Sequence, residues 1–246
     1  MDTLLANTPS ADIWSSFRTI NAHRRAVRDF DGSAIADEDV RAILAEAQLA
    51  PSSNNLQPYR FHWIKDPALK REAAAACHNQ RAAGGASALI ALVADSALCR
   101  RSLDGLAGHI ESCPGLGDAS KTYHRTHLKT LRRFGSIGAL PLWTPLMALA
   151  CAIAPSCSML PLGPSGTRHW AARNSLYAAQ TLLLAAAAKG LDSCPMEGFH
   201  GRKLARLLKL PRGTVITLMV ALGRRAPDAR IEPRWRIPFD AAVLVH

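Results

Sequence analysis

The stretch Trp170 to Ala188 limits what this chain can become more than any other. It is rich in Ala and Leu, and Lys189-Gly190 ends it as a basic last turn and a glycine beyond the helix should. A helix apolar on its flanks as well as its face has to be buried. It therefore needs a cover. Two continuous apolar runs of strand length, Ala88 to Asp95 and Val215 to Leu222, the latter closed by Gly223, read as buried strands. A third strand is signalled by Tyr59, Phe61 and Trp63 alternating with Arg60 and His62. With 246 residues, 48% of them hydrophobic, the chain can bury these together. A single domain over 1–246 is expected, with an insertion at about 100–168 and a C-terminal arm at 224–246.

Shorter helices surround this frame. Ile13, Phe17 and Ile20 recur at helical spacing after Ser10 or Asp12 as cap. Asp37 reads as the N-cap of a second helix, with Glu38 and Asp39 at its positive end and Val40, Ile43, Leu44 and Ala47 as its apolar stripe. Pro51 stops it. Asp66-Pro67 opens a third, and Arg202 to Lys209 forms a short amphipathic one. The arm from Arg224 is basic and proline-punctuated, so it is expected to wrap another surface.

The formal charge is +11, from 30 Lys and Arg against 19 Asp and Glu. That favours anionic partners: phosphate cofactors, nucleotides, nucleic acid or anionic lipid. No basic ladder interleaved with aromatics and no helix-turn-helix signature is present, so nucleic acid is not expected. Cysteines at 77, 99, 113, 151, 157 and 194 form no Cys-x-x-Cys and no zinc spacing. Most of them read as small buried hydrophobes in a reducing compartment, and no metal is expected. Met1 to Ser10 lacks the basic and apolar regions of a secretory signal, so a cytoplasmic protein is expected. No Gly-x-Ser-x-Gly and no Gly-x-Gly-x-x-Gly before a helix occurs, which argues against a Ser hydrolase and a separate Rossmann domain.

The insertion starts basic, from Lys121 to Arg133, and then runs from Ser136 to Gly166 without a charge. That length would span a bilayer, but Pro141, Pro145, Pro155, Pro161 and Pro164 interrupt it. A buried lid or a dimer-facing insertion is the first expectation. A basic helix followed by an apolar hairpin, dipping into an anionic membrane surface through 121–166 and making the protein peripheral to the membrane, is the second.

Four motifs bear on function. Ala50-Pro51-Ser52-Ser53-Asn54-Asn55-Leu56-Gln57-Pro58-Tyr59 is a loop whose amides and hydroxyls can face a polar ligand. Arg24, Arg25 and Arg28 lie within five residues, and guanidinium suits bidentate phosphate contact. The others are Cys194-Pro195-Met196-Glu197-Gly198-Phe199 and Pro233-Arg234-Trp235-Arg236-Ile237-Pro238. In this order they resemble the nitroreductase family of FMN-dependent oxidoreductases, over roughly residues 17–100 and 168–246.

The resemblance implies an α+β, nitroreductase-like fold: a central, mostly antiparallel sheet flanked by helices, in an intertwined homodimer with FMN at the interface. It implies hydride transfer from NAD(P)H, as co-substrate, to a nitroaromatic, quinone or similar small-molecule acceptor by a ping-pong mechanism. Competing readings are a specialised member (flavin-fragmenting, dehalogenating or enone-reducing) and a flavin-binding membrane-surface protein with little turnover. Arg24, Arg234 and Arg236 would bind the phosphate. Arg28 and Arg25 would sit near the pyrimidine edge, with the backbone of Ala26 between them; the family commonly has serine there. Pro195 and Met196 would cover a ring face. The amide of Glu197 or Gly198 would point at N5, and no side chain would act as a catalytic nucleophile. Asn79 would touch the flavin, although Ala82 replaces a lysine common in the family. Pro51, Ser52, Ser53 and Asn55 would approach from the other subunit.

Overall fold

A computed structural model describes residues 10–137, 142–153 and 163–246. Four strands form one sheet in the order β1-β2-β4-β3, every neighbouring pair antiparallel. They are β1 (Tyr59–Ile64), β2 (Ala88–Ala94), β3 (Asp192–Met196) and β4 (Val215–Gly223). The two central strands are the continuous apolar runs, and both of their faces are covered.

Alternation along β2 and β4 sorts the core into two layers. Leu89, Ala91 and Val93, with Met219 and Ala221, face α3 (Pro67–Ala76), α4 (Arg81–Gly85) and α9 (Gly201–Leu207). Ala88, Ile90 and Leu92, with Leu218, Val220 and Leu222, face α2 (Asp37–Gln48) and α8 (Gly163–Ala188). Leu182 and Ala186 of α8 are fully buried there. The chain opens on α1 (Ser10–His23) and ends with α10 (Phe239–Ala242) in the arm. The insertion supplies α5 (Leu98–Ser112), α6 (Asp118–Ile137) and α7 (Trp143–Ile153).

Four expectations need correction. The buried helix α8 begins at Gly163 rather than Trp170, because Pro164 falls in its first turn, where a missing N–H costs nothing. Asp37 is the first helical residue of α2, not its cap; Ala36 holds the cap position without a side-chain bond, and Asp37 pairs with Lys65. Asp66, by contrast, does cap α3, its Oδ1 accepting from the Leu69 amide at 2.7 Å. The uncharged part of the insertion is not a hairpin over 143–153 but the helix α7, with Pro145 in its first turn. Nor is α7 a buried lid within this chain: Leu142, Leu146, Leu149 and Ile153 are 78, 58, 58 and 75% exposed. Among the described residues no helix is long and apolar enough to cross a membrane. Pro141, Pro155, Pro161 and Cys157, and the first nine residues, lie outside the described ones.

One close approach joins the frame to the functional segment. Phe30 pairs with Arg225 and lies against Gly223, where an added Cβ would sit 2.5 Å from Phe30 Cδ1 and 2.7 Å from Cγ. Those are atoms at the root of the ring, which cannot swing away. Gly223→Ala is therefore expected to destabilise the protein by about 2 kcal/mol through overpacking. A urea titration reads this as a lower midpoint; an unchanged midpoint would show that Phe30 moves freely.

Candidate functional site

The Arg24–Arg28 segment is laid along the free edge of β3. Ala26 bridges Ser193 in parallel, and the Val27 amide donates to the Ser193 carbonyl at 3.0 Å. Val27 is fully buried, so its neighbours Ala26 and Arg28 face outward. The arm then folds over this segment. Arg234 donates to the carbonyls of Asn21 (3.2 Å), Ala22 (2.9 Å) and Arg24 (2.8 Å), placing a cation at the negative end of α1. Arg25 donates to the Glu232 carbonyl.

Between segment and arm lies a cavity of about 260 Å³, walled by Arg24, Arg25, Ala26 and Arg28 on one side and residues 230–236 on the other. Its electrostatics are one-sided. Burial and then the charges of Arg234, Arg236 and Arg25 lower the proton affinity of Arg24. The one carboxylate in the wall, Glu232, is paired with Arg230. Among the described residues no carboxylate pairs with Arg24 or Arg28. Such a cluster is relieved by an anion.

The end of β3 adjoins this segment through Ser193. Pro195 is half-buried and Glu197 and Gly198 are exposed. Met196 departs from expectation: its side chain is 3% exposed and packs in the core under α3 and α9. It cannot cover a ring face; its place in the strand alternation turns it inward. The Gly198 carbonyl accepts from Gln80 Nε2 at 2.6 Å, and a Cβ at Gly198 would approach that nitrogen to 3.3 Å. Gln80 follows two left-handed residues, His78 (φ 56°) and Asn79 (φ 52°). Asn79 is thus exposed on the turn that holds residues 197–198, outside the arginine cavity.

The amide loop lies elsewhere. It leads into β1, on the opposite edge of the sheet, three strand spacings or about 14 Å from β3. Pro51, Ser53 and Asn55 are exposed and Ser52 half-buried, and none lines the arginine cavity. The loop is rigidly built. Asn54, Asn55 and Gln57 have φ of 55°, 53° and 42°. Such strain persists only where surrounding contacts impose it. The Ser53 amide donates to Asn174 Oδ1 at 2.7 Å, and Asn174 Nδ2 donates to the Trp170 carbonyl at 2.8 Å. The Gln57 amide donates to Ser52 Oγ, and His127 Nε2 lies 2.8 Å from Asn54 Oδ1. Leu56 is buried with Leu103, Ile110 and Leu128 of the insertion. Asn174→Ala should thus cost about 2 kcal/mol, because it leaves the half-enclosed Ser53 amide without its acceptor. Thermal melts would register the loss; a melt like the wild type would show the loop holds without it.

Sequence reasoning missed Asn174, His127, Gln80 and Arg230. Each acts through contacts over 70 residues or more or through the arm, and periodicity carries no signal for these.

A sequence model described as the nitroreductase family matches residues 22–224. The chain belongs to the nitroreductase family. It is 33% identical to protein DrgA of Synechocystis, over 87% of each chain. It is 27% identical to a protein named NADH dehydrogenase of Thermus thermophilus, covering 92% of this chain and 94% of that one. A nitroreductase from Exiguobacterium sibiricum, solved in complex with FMN, superposes with a TM-score of 0.71 at 23% identity, over 94% of this chain and 97% of that one. The nitroreductase fold, an antiparallel four-stranded sheet between helical layers, is the one described above.

Proposed function

We propose that this nitroreductase-family chain is an FMN-dependent oxidoreductase. It takes hydride from NAD(P)H and passes it to a nitroaromatic, quinone or similar acceptor in ping-pong order, as a homodimer. The observation that carries this reading is the arginine-walled cavity at the free edge of β3. The donor set fits a phosphorylated flat ring: guanidinium groups for a dianion, and an exposed backbone turn at residues 197–198 for ring-edge hydrogen bonds. FMN, when bound, supplies reversible hydride acceptance.

This chain's own residues do the rest. Arg24 and Arg236 hold the phosphate; Arg234 adds charge while it keeps the arm docked on α1. Arg25 and Arg28 supply positive charge for the pyrimidine edge, where it favours the anionic reduced ring. Pro195 offers apolar cover, and the amide of Glu197 or Gly198 offers the donor for N5. Asn79 adds a polar contact from its turn. The cavity's 260 Å³ falls below the roughly 300–1,000 Å³ of complete small-molecule sites. Pro51, Ser52, Ser53 and Asn55 of a second chain complete it. Cys77, Cys99 and Cys194 are poor nucleophiles: burial pushes Cys77 and Cys99 up to about 11 and raises Cys194 as well.

Purified protein tests the reading. It should be yellow, with an absorbance band near ~450 nm typical of flavins. NADH or NADPH should bleach it, and menadione or a nitrofuran should restore the colour. Protein that binds FMN but bleaches with neither nicotinamide would refute the oxidoreductase.

A further inference from the structure

The basic helix α6 and the uncharged helix α7 follow one another in the chain, and α7 carries no residue of the flavin site proposed above. Leu142, Leu146, Leu149 and Ile153 follow one another at four, three and four residues. At 100° per residue they fall within an arc of about 60°, one stripe along the helix. All four are exposed. No charged residue interrupts α7. Four large apolar side chains in one stripe open to water call for a cover.

Charge identifies the cover. From Ala119 to Leu191 the chain contains no Asp or Glu, yet it carries eight Lys and Arg. Five of these are in α6: Lys121, Arg125, Lys129, Arg132 and Arg133. Glu111 and Asp104 of α5 pair with Arg125 and Arg132. Lys129 and Arg133 are exposed with no acidic partner among the described residues. A second copy of the same segment is a poor cover, since its charge is of one sign and two copies would set like against like. An acidic apolar surface suits it. At eleven residues, about 16 Å, α7 is half the thickness of a bilayer core, so it can lie in the interface but cannot cross.

We propose that α7 inserts its Leu142–Ile153 stripe into the interface of an anionic lipid bilayer, with α6 held against the headgroups. The flavin-loaded full chain is tested by flotation. It should rise with vesicles of equimolar phosphatidylcholine and phosphatidylglycerol, and stay at the bottom with phosphatidylcholine alone. High salt should reduce the floating fraction, because exposed charges are screened. Leu146→Glu with Leu149→Glu, and separately Lys129→Glu with Arg133→Glu, should each lower it at least tenfold. These positions are exposed, so the variants should keep the wild-type melting temperature. Wild-type protein that does not float with anionic vesicles overturns the proposal. So does unchanged flotation of both variants, or a Leu146→Glu, Leu149→Glu variant that sediments as a smaller species, which would make the stripe a contact between copies.

Discussion

Replacing Arg24 and Arg236 together by alanine should weaken FMN binding by about 4 kcal/mol, close to a thousandfold, at two charge-assisted contacts of roughly 1.5–3 kcal/mol each. The reason lies in the packing of like charge. Arg24 is partly desolvated and faces Arg234, Arg236 and Arg25. That repulsion is carried by the empty protein and relieved when a dianion enters, so the guanidinium groups contribute more to the complex than isolated surface arginines would. Quenching of flavin fluorescence at fixed ionic strength reads the affinity. The same change should make the empty protein slightly easier to fold, or leave it unaltered, since no carboxylate loses its partner. A double variant that retains stoichiometric FMN would place the phosphate elsewhere.

Asp192→Ala should cost about 3 kcal/mol of stability. Asp192 is 6% exposed and receives two hydrogen bonds from Arg225, at 2.8 Å to Oδ2 and 2.6 Å to Oδ1. Removing one member of a buried pair leaves the other charge without compensation. Arg225 is itself partly open to water, which places the estimate at the lower end of the usual 3–5 kcal/mol. The pair ties the start of β3 to the chain leaving β4, beside the contact of Phe30 with Gly223. Loss should appear as a lower urea midpoint with an unchanged slope, and Asp192→Asn should recover part of it. A midpoint within experimental scatter of the wild type would show that the bridge is dispensable.

The sheet and its two layers were legible because β2 is apolar throughout, β4 is broken only by Thr217, and α8 ends in the uninterrupted apolar run Leu182 to Ala188, a pattern that fits burial. Asp66-Pro67 announced α3 correctly because cap and first-turn proline act within four residues. Asp37 misled for the same reason: a good cap residue also serves as an acidic first-turn residue, and Lys65, distant in sequence, decided between them. Met196 misled because a motif gives order along the chain, not the face on which a strand residue emerges. The arginine cluster was legible as types at a spacing. That Arg234 closes the end of α1, and that Asn174 holds the Ser53 amide, depends on where a long chain returns, and no local pattern records it.

The width of the sheet has a kinetic corollary. In the homodimer proposed above, the cationic pocket on one margin of one chain and the amide loop on the other margin of its partner would grip each flavin together. Flavin retention then becomes a question of how much protein is present. Stock solutions should stay coloured, while extensive dilution should release both subunits and pigment on the same timescale, and added FMN should slow the separation.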